Sequence, residues 1–189
     1  MSRIDVLLQH PKRTLGVLAL VLVAVGVAVG SGANFSASSA NPSNTFTSGT
    51  LTMSNSNDAA AILTASNWKP GDTSTGTVDI KNTGSLAGTF SLSRTALSDS
   101  DNTNPLSSKI DLVIHDCGLF SGATPPSCSA GGTDVYTGTL AGLTSAQALG
   151  TFAANDQHRY KFTATFNSGS GNVYQSGNST ATFTWNAVQ

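Results

Sequence analysis

Two histidines that stand beside other potential ligands are the first candidates for chemistry in this sequence. His115 directly precedes Asp116 and Cys117, a run that could hold a metal ion loosely, and His158 opens a later strand-like segment. A catalytic zinc site recruits three protein ligands, and the HExxH motif also needs a glutamate. All ten acidic residues of this chain are aspartates. We therefore interpret His115 as an outward-facing surface histidine and His158 as a residue at a strand end.

The only two cysteines, Cys117 and Cys128, are the next candidates. Their spacing matches neither the C-x-x-C redox motif nor a zinc-binding pattern. In an oxidising compartment such a pair forms a disulfide. We therefore predict a structural bridge between Cys117 and Cys128 that closes a short loop.

Residues 99–104 (DSDNTN) are the last candidate for a ligand site. They resemble part of a calcium loop but lack its glycine and its distal glutamate, so we favour an exposed polar turn over a calcium site. The chain also has no G-x-S-x-G nucleophile elbow and no glycine-rich phosphate loop that opens a helix. From these patterns we predict that the protein is not an enzyme, has no catalytic or metal-binding residues and needs no cofactor.

The charge of the chain limits its partners. Only 10% of the residues are charged and the formal net charge is −1. No basic run is present, so nothing in the composition favours binding to nucleic acid or to an anionic membrane.

The first 33 residues predict an export signal. Basic residues precede an uninterrupted apolar run over residues 15–29, and Ser31 and Ala33 are the small residues expected before a cleavage site. A membrane span needs about 20 apolar residues, so we favour a cleaved signal over a retained anchor. The protein is then expected to be secreted, at the cell surface or in an extracellular matrix, without a stable membrane span after cleavage.

Short segments of alternating apolar and polar residues fill the rest of the chain and predict strands with one buried face. The longest, residues 158–166, alternates Tyr160 and Phe162 with lysine and threonine. Further candidate strands cover residues 46–53, 60–65, 76–81, 89–93, 110–114 and 181–185. Residues 144–149 are predicted to form one helical turn at most.

These patterns predict an all-β fold, a two-sheet, jelly-roll-like sandwich with long loops. We divide the chain into a signal peptide over residues 1–33, an N-terminal tail or donor strand over residues 34–44, and the sandwich over residues 45–189.

Three blocks of residues resemble the TasA/camelysin family of secreted biofilm-matrix fibre proteins: residues 33–51, 67–86 and 172–185. The first contains A-N-F and the strand-like F-T-S-G-T-L. The second contains the turn N-W-K-P-G-D, a strand and the turn N-T-G-S-L. The third resembles the closing Y-Q-G-N-S strand of the family, with Ser176 inserted.

The resemblance implies a signal peptide read by a dedicated signal peptidase and a jelly-roll domain that assembles into fibres with itself or with related matrix subunits. In such fibres the N-terminal segment of one subunit completes a sheet of the next. Asn34, Phe35 and Ser36 would begin this donor segment, with Phe35 as its apolar anchor. Some relatives are described as metal-dependent endopeptidases. That activity and a surface or adhesive module that does not polymerise are the alternatives.

Overall fold

The computed structural model describes residues 11–30, 43, 45–129 and 131–189. The chain divides into two units, Met1–Phe46 and Thr47–Gln189. In the first, Leu and Ala favour a helix, and α1 covers Pro11–Gly30. Within the described part of the chain, no helix has the length and apolarity that crossing a membrane requires. Cleavage of the leader stays a prediction.

In the second unit, the described residues form eight antiparallel strands and two short 3₁₀ turns. The strands are β1 Met53–Asn55, β2 Thr73–Asn82, β3 Gly88–Asp99, β4 Ile110–Phe120, β5 Thr133–Thr139, β6 Gln147–Phe152, β7 Gln157–Phe166 and β8 Ser179–Val188. The 3₁₀ turns cover Leu106–Lys109 and Asn172–Tyr174. The predicted all-β sandwich is confirmed.

The strands form two sheets of unequal width. One sheet has five strands in the order β1-β2-β7-β4-β5, and the other has three in the order β6-β3-β8. The narrow sheet therefore leaves part of the wide sheet without a facing strand. The hydrophobic core lies between them, and Ile80, Phe90, Ile114 and Phe162 are completely buried there.

Alternation along β2 and β7 places these core residues. In β7 the buried Tyr160, Phe162, Ala164 and Phe166 alternate with half-buried polar residues. In β2 the buried Val78 and Ile80 follow two small residues on the same face. This period of two is the strand repeat that the sequence predicts.

Three segments differ from the sequence-based prediction. Residues 46–52 are not a strand, because Thr50 and Thr52 hydrogen-bond to the turn after β2 instead of to a sheet ladder. Residues 60–65 have no regular structure. The helical turn predicted at residues 144–149 is wrong, because β6 begins at Gln147 and pairs with β3. The predictions also missed β5.

Candidate functional site

A cleft lies between the two sheets of the sandwich. Its volume is about 750 Å³. The inner faces of β4 and β7 form one wall, and Ala181 and Phe183 of β8 form part of the other. Residues 61–70, which we call the strap, and residues 170–179 complete the lining.

The strand beside this cleft has an open edge. β8 is ten residues long, and among the described residues it pairs only with β3. Its other edge therefore carries backbone N–H and C=O groups that no described strand pairs. An unpaired edge of this kind is a template for an added strand.

The N-W-K-P-G-D turn anchors the C-terminal end of the strap. The backbone N–H and ammonium group of Lys69 both donate to the Asp72 carboxylate, at 3.1 and 2.6 Å. These hydrogen bonds hold the pKa of Asp72 below its ordinary value, with the ammonium contact the largest cause. Gly71 has φ +96°, a conformation that favours glycine, and its N–H donates to the carbonyl of Phe166 on β7 at 2.7 Å.

The segment before β8 forms another part of the rim. Lys109 lies 5.6 Å from the centre of the Tyr174 ring, a cation–π distance. The hydroxyls of Ser170 and Ser179 are buried at the cleft and have no hydrogen-bond partner among the described residues. Such groups can be satisfied by the backbone of a bound segment.

The N-T-G-S-L turn contains a structural residue that sequence reasoning missed. Asn82 is completely buried. Its Nδ2 donates to the carbonyls of Leu86, Phe152 and Ala153 at 2.8, 3.1 and 3.1 Å. Its Oδ1 accepts from the N–H of Gly84 at 2.9 Å. One amide thus joins the end of β2 to the end of β6, and only its position before a turn glycine signals this role.

The predicted outward orientation of His115 is observed. His115 lies opposite Lys161 on β7, and its Nδ1 donates to Asp134 at 2.6 Å. Its Nε2 donates to the carbonyl of Gly131 at 2.9 Å. The Asp134 contact, followed by the Gly131 contact, raises the pKa of His115 above its ordinary value. Both ring nitrogens are therefore occupied by hydrogen bonds that favour the imidazolium.

His158 occupies the opposite face of the wide sheet. Its Nδ1 contacts both carboxylate oxygens of Asp116, at 3.1 and 2.9 Å. The imidazole stacks on Phe152, with ring centres 4.3 Å apart. Burial, together with the charge of Asp116, raises the pKa of the neighbouring Tyr160 far above its ordinary value. His158 is thus part of the aromatic core at a strand end.

A pH-dependent stability follows from the His115 contacts. Because the pKa of His115 is raised in the folded state, the stabilisation is fully present below the ordinary histidine pKa of about 6.5 and is lost as pH rises through the folded-state value. The exposed fractions of the side chains, 25% for His115 and 52% for Asp134, limit the effect to less than about 1 kcal/mol. Thermal unfolding between about pH 5.5 and about pH 9 measures it. The wild type should lose more stability over this range than His115→Gln, and equal pH profiles would contradict the prediction.

The predicted disulfide joins Cys117 and Cys128. Cys117 is buried within β4, where the ladder with β7 is interrupted between Asp116 and Leu119. The bridge fixes the loop that leads to β5, and a loop of this size contributes about 2–3 kcal/mol in the chain-entropy model.

The aspartates of residues 99–104 act as turn acceptors. Asp99 accepts from the N–H and hydroxyl of Ser107 at 2.8 and 2.6 Å. Asp101 accepts from the N–H of Thr103 and the amide of Asn104, at 2.7 and 3.2 Å, and these bonds lower the pKa of Asp101. These contacts are those of a polar turn.

The predicted donor residues Asn34, Phe35 and Ser36 lie outside the described residues. The nearby Phe46, at the end of the first unit, is described and is 98% exposed.

Comparison with known proteins identifies one family. The profile of the family described as "Camelysin metallo-endopeptidase" matches residues 10–110, just over half of the 189-residue chain. A search of curated proteins finds no match to this sequence.

The description of the family implies a catalytic metal, and the donor groups of the sandwich do not fit one. His115 and Asp116 project to opposite faces of the wide sheet, since they lie opposite Lys161 and the buried Tyr160 respectively. His158 contacts Asp116, whereas His115 lies on the other face of the sheet, so the two histidines of the sandwich do not converge on one site. Among the described residues, no group of three or more His, Cys, Asp or Glu side chains is placed to hold a metal ion.

Proposed function

This chain belongs to the camelysin family, and from that premise we propose that it is an exported structural subunit that assembles into extracellular fibres by strand addition. The predicted donor segment, residues 34–44, together with the two residues that end the first unit at Phe46, would enter the cleft of a second copy and pair with β8. The observation that carries the proposal is the ten-residue open edge of β8 beside a cleft between the sheets.

The dimensions and chemistry of the cleft support this occupant. Residues 34–46 outnumber the ten residues of β8, so they can span the strand when extended. Phe35 and Phe46 supply apolar side chains for a cleft lined by Phe166, Phe183 and Ala181. Backbone hydrogen bonds along an added strand supply affinity, and side-chain pockets set the register.

A contact of this type also gives the correct symmetry for a fibre. The donor segment and the acceptor cleft are different parts of the same chain, so the contact is head-to-tail and does not require closure. The disulfide supports export, because such bridges persist in oxidising compartments. The resemblance to matrix fibre proteins agrees with secretion to the cell surface or matrix.

Electron microscopy of two purified proteins tests the proposal. One begins at Asn34, the proposed mature start, and the other at Thr47, the first residue of the compact sandwich unit. We expect filaments from the longer chain only. Adding a synthetic peptide of residues 34–46 to the longer chain should block filament growth. Monomers from both proteins would contradict self-assembly and favour the surface or adhesive module.

The name of the family carries a second candidate, a metal-dependent endopeptidase. It predicts that the protein beginning at Asn34 hydrolyses an unfolded protein substrate. This activity should be lost when a chelator is added and restored by zinc. The structural proposal predicts filaments whose growth a chelator leaves unchanged and no such hydrolysis. The two measurements on one preparation separate the candidates.

A further inference from the structure

The strap, residues 61–70, fills space between the sheets that side chains of β2 leave empty. Ser74 and Gly76 share the inner face of β2 with the buried Val78 and Ile80. A Cβ on Gly76 would overlap the carbonyl oxygen of Ile62, and the hydroxyl of Ser74 donates to the carbonyl of Thr64 at 3.1 Å. The backbone of the strap thus lies where two larger inward-facing residues would be.

Side-chain packing holds the strap in place, without a strand ladder. Ile62, Leu63 and Trp68 are half-buried and pack against the core. Residues 61–68 make no backbone–backbone hydrogen bond to any other residue that the structure describes. A segment with few protected backbone hydrogen bonds opens at a lower free-energy cost than the strands beside it.

The position of the strap coincides with the site of strand addition. It lines the same cleft as Ala181 and Phe183 of β8, on the side where the three-stranded sheet ends. A strand that paired with the open edge of β8 and inserted its side chains between the sheets would meet the half-buried side chains of Ile62, Leu63 and Trp68.

We infer that the strap is an internal competitor of the incoming strand: it occupies one side of the cleft in the free subunit and is displaced when a second copy docks. This inference rests on the proposed function and adds its regulation. A strap that covers the core beside an exposed edge restrains premature association, as covering loops do in other sheet proteins. Only the form with the strap displaced can bind the donor segment, and this form is a minor population. Because its fraction is small, the apparent affinity for the donor segment is lower than the affinity of the open form.

Two substitutions shift this population in the compact unit Thr47–Gln189, which contains the whole hydrophobic core and the disulfide. Gly76→Val places a side chain against the Ile62 carbonyl and should expel the strap. Trp68→Ala removes packing from the strap itself and leaves β2 unchanged, so it serves if Gly76→Val does not fold. Thr77→Val is the matched control, since Thr77 is exposed on the opposite face of β2.

Hydrogen exchange and binding of a labelled peptide of residues 34–46 are the measurements. Gly76→Val and Trp68→Ala should raise exchange in the strap and tighten peptide binding by at least about tenfold, because the open fraction rises. Thr77→Val should match the wild type. In the wild type, the peptide should raise exchange in the strap and lower it in β8.

Two other outcomes distinguish failure of the competitor role from failure of the proposed function. In the first, the peptide binds the wild type and protects β8 from exchange, while Gly76→Val and Trp68→Ala leave the affinity for the peptide unchanged. That result overturns the competitor role, and strand addition stands. If no variant binds the peptide, the proposed function itself fails, and the regulation inferred from it fails with it.

Discussion

Replacing Ala181 with tryptophan is expected to abolish filament formation by the chain that begins at Asn34. Ala181 lies on β8, lines the cleft and packs against the edge of the core. An indole at this position occupies the volume that the side chains of an added strand require, and such a clash discriminates strongly against a partner. We expect the affinity for a peptide of residues 34–46 to fall by at least about a hundredfold, about 2.7 kcal/mol.

The neighbouring position provides the control for this substitution. Thr182 is exposed and projects to the other face of β8, because successive strand residues alternate. Thr182→Trp adds an indole to the same strand without entering the cleft, so it should form filaments like the wild type. Near-ultraviolet circular dichroism checks that both variants are folded. Filaments from a folded Ala181→Trp protein would contradict the assignment of the cleft as the acceptor site.

Replacing Asn82 with alanine is expected to cause a large loss of stability. The side chain is completely buried, and its removal leaves three carbonyl groups and the N–H of Gly84 without this partner. Each unsatisfied buried group costs about 1–3 kcal/mol. Because water can re-satisfy part of the set, we expect a total loss of about 3–5 kcal/mol, a large part of the stability of an ordinary domain.

Urea unfolding followed by tryptophan fluorescence measures this loss. Asn102→Ala is the control, because Asn102 is an exposed residue in the turn after β3, and its effect should stay within about 0.5 kcal/mol. A loss below about 1 kcal/mol for Asn82→Ala would show that the junction of β2 and β6 does not depend on this amide.

Several features of the fold could be predicted from sequence because they depend on local pattern. The alternation in residues 158–166 places Tyr160 and Phe162 in the core, and the structure confirms it. The pairing of Cys117 with Cys128 followed from their being the only cysteines in a chain with an export-like leader. The resemblance to the camelysin family is confirmed, since the family profile matches residues 10–110, which include the first two of the three blocks.

Other features could not be predicted because they depend on contacts between distant segments. Asn82 resembles an ordinary turn residue in the sequence, and its carbonyl partners Phe152 and Ala153 lie 70 and 71 residues further along the chain. Residues 60–65 are apolar enough to resemble a strand, yet Ile62 lies against Gly76 between the sheets and pairs with no strand. The donor residues Asn34, Phe35 and Ser36 stay a prediction.

The sequence by itself determined that short, one-sided strands form a sandwich, because a period of two specifies which face of a strand is buried whatever its neighbours are. Only the tertiary structure decided which strand lies at an edge. β2 pairs with β7 and β3 pairs with β8 across long stretches of chain, and no local pattern encodes that order. The open edge of β8, the cleft beside it and the strap within that cleft all follow from this pairing, because a three-stranded sheet cannot cover a five-stranded one.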